Sequence, residues 1–331
     1  MQESLANNVV TEFSQPFSLL NQSPVVWLVV SSFCNDPEIT RLLEDVQNLP
    51  ARLFDRVLVI DSLGTGAVPT LIARRGWQNV SYHSYGRNLG SAGNLALRLQ
   101  LAAEGGADFA YALNHDGQVH PEVVRCLLKH AIRLHRVGAV YPISYLRSAA
   151  AYNLTGTREL PLPAKLVEQK PQRELIEAYW SSSNGALYAL EPVRHGVLPW
   201  PELWMGWEDL EYGWRLADHG YRQAIACDAV FDDNYEYAVR VSLVRKFRVV
   251  SKPAWTTYYM SRNLLLITRR TRPLLKFEVI VILRILLESA LILLVRPDKR
   301  ARLRCLVRGV IDGLRNRTGK WILPRDPVSN W

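Results

Sequence analysis

Three carboxylates fall within four residues at Glu208, Asp209 and Glu211, between Trp207 and Tyr212 and ahead of Arg215. Read as the start of a helix, the stretch turns Asp209 away from Glu211, while Glu211 and Arg215 share a face at the i,i+4 spacing. An acid held among tryptophans is poorly solvated, which raises its pKa and suits it to act as a general base. The same residues also suit a plain charged helix start, favoured by the helix dipole and braced by a salt bridge to Arg215. This stretch alone leaves both readings open. Asn114 and Asp116, two residues apart, are oxygen donors suited to a hard divalent cation, or to an ordinary turn. Arg87-Asn88-Leu89-Gly90-Ser91-Ala92-Gly93-Asn94 is a glycine-bearing entry into a helix, where backbone amides suit a phosphate, although it is neither GxGxxG nor a P-loop.

Strands and helices must bring these groups together. Val25–Val30 and Arg56–Ile60 are continuous apolar runs, as expected of strands buried on both faces. Val80–His83, Phe109–Leu113 and Gly185–Leu190 read as further strands, with helices expected over 91–103 and 121–135. A helix is also expected after Asp36-Pro37, as cap and first turn. The alternation predicts an α/β fold, a mostly parallel sheet flanked by helices. Ligands of such sheets bind at the carboxyl ends of the strands. Ser31, Asp61, Arg87, Asn88, Asn114 and Asp116 all lie just past an expected strand end. Residues 154–172 read as a surface excursion. From Val241 the pattern changes to basic helices, with Arg284 and Glu288 spaced to pair.

The chain has 331 residues and a net charge of +9, unevenly spread. Residues 239–331 hold 21 Lys and Arg against 5 Asp and Glu, a net of +16, which leaves −7 for residues 1–238. A basic C-terminal third points to a polyanionic surface, nucleic acid or anionic lipid. Residues 274–295 are apolar but interrupted by Lys276, Glu278, Arg284 and Glu288, too soon for a roughly 20-residue membrane span. With basic flanks, the segment fits a helix lying in a membrane interface. Cys34, Cys126, Cys227 and Cys305 form no CxxC pair, which argues for a reducing compartment. The segment before Ser23 carries no Lys or Arg, so a signal peptide is not expected. His83, His120, His130, His135, His195 and His219 show no ligand spacing and are expected to be structural.

The order of motifs is similar to that of family-2 inverting glycosyltransferases of the GT-A, Rossmann-like fold, in their rhamnosyltransferase-like branch. The matching pieces are Val29-Val30-Ser31-Ser32-Phe33, Val59-Ile60-Asp61-Ser62, Arg87 through Asn94 and Leu113-Asn114-His115-Asp116-Gly117. Next come Ser182-Ser183-Asn184-Gly185-Ala186-Leu187, then Trp207-Glu208-Asp209-Leu210-Glu211 with Arg215, and Gly220-Tyr221. Tyr258-Tyr259-Met260-Ser261-Arg262-Asn263 and Gly309-Val310-Ile311-Asp312-Gly313-Leu314 close the series. The resemblance implies a nucleotide-diphosphate sugar as donor, a dTDP-rhamnose or a UDP-sugar, and a glycan or lipid-linked acceptor. Ser31, Phe33 and Asp61 would hold nucleobase and ribose, and Arg87, Asn88 and Asn94 would sit near ribose or diphosphate. Asn114 and Asp116 would take the DxD position for Mg²⁺ or Mn²⁺. Asp209 would be the base, with Glu208 beside it and Trp207, Glu211 and Asn184 on the acceptor side.

Two positions depart from that pattern. Asn114 is neutral where the family has an acid, and Phe231 is followed by Asp232 and Asp233 rather than by a histidine. Asp232 is therefore a candidate metal ligand, and a catalytically weak or inactive homologue is the alternative reading. The expected organisation is an extension over 1–23, a catalytic domain over 24–240 and a membrane-associating helical region over 241–331. The expected location is peripheral, on the cytoplasmic face of the inner membrane. A homodimer is entertained, and nucleic acid is not an expected partner, because no RNA-binding motif accompanies the basic tail.

Overall fold

A computed structural model describes residues 23–49, 52–64, 66–161, 165–233, 237–241, 246–250 and 252–322. The N-terminal extension expected over 1–23 therefore lies outside the described residues, Ser23 excepted.

The first half alternates β1 (Val26–Ser32), α1 (Asp36–Gln47), β2 (Arg56–Asp61), α2 (Ala67–Arg75), β3 (Val80–Ser84), α3 (Gly90–Glu104), β4 (Phe109–Asn114) and α4 (Pro121–Ala131). It continues with β5 (Val137–Leu146), β6 (Ala151–Asn153), β7 (Leu166–Val167), β8 (Leu175–Glu177), β9 (Ala186–Ala189) and α5 (Glu191–Arg194). Then come α6 (Glu208–Asp218), β10 (Arg222–Asp233), β11 (Tyr237–Val241), β12 (Lys246–Val250), α7 (Thr256–Thr271), α8 (Leu275–Leu294) and α9 (Lys299–Leu314).

The main sheet runs β3-β2-β1-β4-β9-β5-β10-β8, with β6 and β7 continuing from β5. β3, β2, β1 and β4 are parallel, and β5 and β10 are parallel to each other. β9 is antiparallel to both β4 and β5 and joins the two halves. Burial explains the apolar runs. Along β1, Val26, Leu28 and Val30 face one core, with α1 and α4, while Trp27 and Val29 face the other, with α3 and α6. Alternate side chains of a strand point to opposite faces, so a strand covered on both sides must be apolar throughout.

Several expectations are corrected. The helix from Pro121 ends at Ala131, not His135, because the chain must reverse into β5 and Arg136 takes φ +50° to do so. The excursion after Leu154 contains β7, which pairs with β6. Helices do not begin at Val241: the antiparallel pair β11–β12 comes first, and the boundary expected at 240 falls inside β11. Arg284 and Glu288 do not pair. Arg284 stacks over the Trp207 ring at 5.1 Å and donates to the Pro161 carbonyl at 2.9 Å, while Glu288 pairs with Arg296.

The C-terminal helices pack on the sheet domain. Phe277 and Val281 of α8 share a core with Ala92, Leu210, Trp214 and Ile267. α7 and α9 meet at small residues: a Cβ on Gly309 would lie 2.5 Å from the Tyr258 carbonyl oxygen. Asp312 is buried beside it and accepts from the Tyr258 hydroxyl at 2.8 Å.

Candidate active site

The strands deliver their C-terminal ends to one edge. Ser31 pairs in register with Ile60 and Asn114, and Ser32 with Asp61. There the Ser31 hydroxyl donates to Asn114 Oδ1 at 3.0 Å, and the Asn114 amide donates to Asn184 Oδ1 at 3.0 Å. Gly185 makes this junction possible. It takes φ +85°, its amide donates to the Ala112 carbonyl, and Phe231 packs against it.

The acids arrive from α6, and their loop is set from two sides. Gly90 holds φ +67°, and a Cβ there would lie 2.0 Å from the Trp204 carbonyl oxygen. That oxygen accepts from the Ala92 amide, so it covers the start of α3. With Asn88 Oδ1 taking the Gly90 amide, two of the amides at this helix start already have partners within the chain. From the other side, Asn263 Nδ2 donates to the carbonyls of Leu203, Met205 and Gly206. Arg262, fully buried, donates to Leu203 and Gly319. Trp207 then turns the chain into α6 at φ +67°, a costly conformation for a non-glycine residue, and its indole donates to the Met260 carbonyl at 2.9 Å.

A cavity of about 220 Å³ lies between these parts, lined by Ser31, Ser91, Arg98, Asn114, Ser182, Ser183, Asn184, Glu208, Asp209 and Lys252. Asp209 Oδ1 accepts from the Ser183 amide at 3.2 Å. Burial, and after it the charge of Glu208, pushes the Asp209 carboxyl up to about 8. Arg98 comes from the face of α3 two turns past Ser91. One of its nitrogens donates to the carbonyls of Val29 and Leu113, and burial lowers its guanidinium to about 10. Three lining side chains carry a buried polar atom without a hydrogen-bond partner: Ser91 Oγ, Arg98 Nε and Glu208 Oε2. Orphaned buried polar atoms are rare in folded proteins, and three around one cavity mark a place where a polar ligand would complete the bonding.

The other residues expected at the site lie apart from this lining. Asp61 is fully buried, accepting from the Leu63 amide and the Tyr82 hydroxyl. Asn94 is buried beneath the strand ends and donates to the Ile60 carbonyl at 3.0 Å. Asn88 closes a turn onto the Gly90 amide, Arg87 is exposed, and Phe33 is half-buried past the end of β1. Asp116 stands exposed on the turn after β4. Glu211 does not face the cavity: it is 0% exposed, bound by Arg215 and by the Trp200 amide. Burial raises its carboxyl despite Arg215, so its place is in the scaffold of α6. Asp232 pairs with Arg147 at 2.6 Å instead of lining the cavity.

Asn114 Oδ1 and the Asp116 carboxylate are two hard oxygen donors at one strand end. That set fits a cation which keeps most of its coordination for phosphate and water. Among the described residues, a cluster of three side chains with metal-ligand chemistry occurs elsewhere, at Cys126, His130 and Asp228.

Sequence reasoning missed Arg98 and Lys252 as lining residues. The heptad step from Ser91 to Arg98 could have placed the arginine on the Ser91 face of α3. Lys252 carried no local signal, because the fold of 250 residues brings it there.

No protein-family model matches the sequence, and no curated protein matches it. Among solved structures, the fold is similar to that of the mannosyltransferase PcManGT from Pyrobaculum calidifontis in complex with GDP-Man and Mn²⁺. Its TM-score is 0.54 at 14% identity, over 92% of this chain and 92% of that one. S. aureus TarS 1-349 in complex with UDP-GlcNAc gives 0.52 at 12% identity, over 86% and 81%. GalNAc-T7 with UDP, GalNAc and Mn²⁺ gives 0.53 at 11% identity, over 74% of this chain and 48% of that one, about half its length. At such identities the likeness establishes the fold, which is GT-A: a mixed α/β sheet flanked by helices, here with a C-terminal helical region.

Proposed function

We propose that the chain is a glycosyltransferase that moves a sugar from a nucleotide-diphosphate sugar to an acceptor hydroxyl with inversion. The carrying observation is Asp209, buried at the carboxyl edge of a GT-A sheet with its carboxyl raised to about 8, in a cavity of unsatisfied polar atoms. A general base works best when its pKa lies near the working pH. Asp209 takes the proton of the acceptor hydroxyl, and that oxygen attacks the anomeric carbon from the face opposite the diphosphate. The bond from the anomeric carbon to phosphate breaks, and the diphosphate leaves with the electron pair. Arg98 and Lys252 supply positive charge on the donor side, and Glu208 orients the acceptor. The cavity is smaller than the roughly 300–1,000 Å³ of drug-sized sites, so it suits the reacting sugar, with the nucleotide lying along Ser31 and Phe33 and with Asp61 buried beneath them as support. Asp116 and Asn114 would hold a Mg²⁺ or Mn²⁺ ion. When bound, such an ion offsets the charge that develops on the leaving diphosphate. The solved neighbours carrying GDP-Man and UDP-GlcNAc support a nucleotide-sugar donor.

The acceptor in this reading is a lipid-linked or cell-surface glycan, met at the cytoplasmic face of the inner membrane. No helix among the described residues is long and apolar enough to cross a membrane. α8 instead exposes an apolar face, with Leu275 at 76%, Leu286 at 59% and Leu294 at 62%, and Lys276, Lys299, Arg300 and Arg304 are exposed on α8 and α9. That combination supports adsorption to an anionic bilayer.

A second reading, a weak or inactive homologue, draws on the pairing of Asp232 with Arg147 and on the neutral Asn114. Incubation with UDP-, GDP- and dTDP-sugars, with and without Mn²⁺, separates the two. Donor-dependent product with inverted anomeric configuration supports transfer, whereas donor binding with no turnover supports the second reading.

A further inference from the structure

Three side chains of different chemistry meet on the α4 side of the sheet, away from the cavity lining. Cys126 and His130 stand one turn apart on α4, and Asp228 comes from β10. One ligand atom from each lies within 4.8 Å of the other two. His130 is 2% exposed, yet its Nε2 is directed at Asp228, 2.9 and 3.0 Å from the two carboxylate oxygens. The Cys126 thiol stands beside the same carboxylate, its sulfur within 4.8 Å of the ligand atoms of the other two. Asp228 is brought there by an irregularity in β10. The register against β5 shifts between Ala226 and Val230, and Asp228 lies within that shift. Bulges of this kind re-aim a side chain and are common beside functional groups.

We propose that Cys126, His130 and Asp228 form a binding site for a borderline-soft divalent cation of the Zn²⁺ class. A thiolate, an imidazole and a carboxylate are a donor set that selects zinc over Mg²⁺ or Mn²⁺. The i,i+4 spacing on α4 places two ligands on one face, and the strand supplies the third. A tetrahedral ion at the usual bond lengths needs its nitrogen and oxygen ligands roughly 3.3 Å apart, so the His130–Asp228 contact opens by only a few tenths of an ångström. Asp228 is 35% exposed, so the fourth position faces solvent and takes water. Without a cation, burial and Asp228 push the thiol up to about 12. Binding deprotonates the thiol, releases that proton to solvent and ties α4 to the irregular stretch of β10.

The test uses the full-length protein, reduced with a phosphine and titrated with Co²⁺. The expected result is one equivalent of Co²⁺ giving a thiolate-to-metal charge-transfer band with tetrahedral visible bands. Zn²⁺ should bleach them and excess Mn²⁺ should leave them. Cys126→Ser should abolish the charge-transfer band, and Asp228→Asn should weaken Co²⁺ binding at least about 10-fold. Absence of the band in the wild-type protein overturns the proposal and makes the cluster a hydrogen-bonded brace. A band that persists in Cys126→Ser overturns it too, by assigning the metal to another thiol.

Discussion

Asp209 joins two demands that pull against each other. Its carboxyl is raised from the ordinary Asp range to about 8 by burial and then by Glu208. In its proposed role as base it must be ionised, so transfer should climb with pH up to about 8 and fall below it. A pH–rate profile checks this. Asp209→Asn should cost on the order of 10²-fold or more in transfer while leaving donor affinity near wild type. Parallel loss of affinity would assign Asp209 to binding. Stability should move the other way. A carboxyl whose folded pKa is raised binds more protons folded than unfolded, so its contribution is present at low pH and is lost as pH rises through about 8. Asp209→Asn, which keeps a neutral side chain there, should therefore melt higher than wild type at pH 8–9 and nearly equal to it at pH 4. Glu211→Gln should show the reverse pattern of damage. It leaves Arg215 without its partner and should lower stability by about 1–3 kcal/mol in denaturant unfolding, with a modest effect on turnover per folded molecule.

The elements that hold the acids can be tested at two glycines and one asparagine. Gly76 and Gly90 both have φ +67°, but nothing stands within 4 Å of a Cβ at Gly76, whereas one at Gly90 meets the Trp204 carbonyl. Gly76→Ala should cost only the left-handed strain, about 1–2 kcal/mol. Gly90→Ala should cost a further 1–3 kcal/mol or so and should shift the loop before α6, which activity assays would register. Asn263→Ala removes three hydrogen bonds to residues 203–206, so kcat should fall more than donor affinity. These contacts also mark what the sequence could tell. The β1, β2 and β4 strands were legible because burial on both faces forces continuous apolar runs, whereas β3, an edge strand of which only Val80 is buried, gave a weaker signal. The pairing of Glu211 with Arg215 was legible because it is local. That Trp204 would cover the start of α3, or that Asn263 would tie down the acid loop, was not legible. Those bonds run from backbone atoms or across more than 50 residues, and no local pattern encodes them.

At the scale of the whole molecule, charge and apolar surface are sorted together into the C-terminal helices. If these adsorb to a bilayer, vesicles containing anionic lipid should sediment the protein at low salt and release part of it at high salt. Each basic residue near the surface should contribute about 1 kcal/mol. Indifference to anionic lipid would remove the membrane from the functional reading. The sequence announced the composition of this region but not its placement. A basic, apolar segment looks like an appendage, yet α7 reaches Leu203 and α8 reaches Trp207, so the same helices that carry the surface also brace the loop that leads into Asp209.

The strand that joins the two halves of the sheet arrives late. β4 ends at Asn114, and its native neighbour on that side, β9, begins at Ala186. β5 is synthesised in between, at residues 137–146, yet in the finished sheet it must stand one place farther out. On a ribosome adding about 5–20 residues per second, the outer side of β4 waits several seconds, uncovered, beside an apolar strand that is the wrong partner. The nascent chain therefore has a window in which premature β4–β5 pairing, or association with a neighbouring chain, competes with the arrival of β9. Slower translation before residue 186 should lower the soluble yield, and delayed exposure of β5 should raise it.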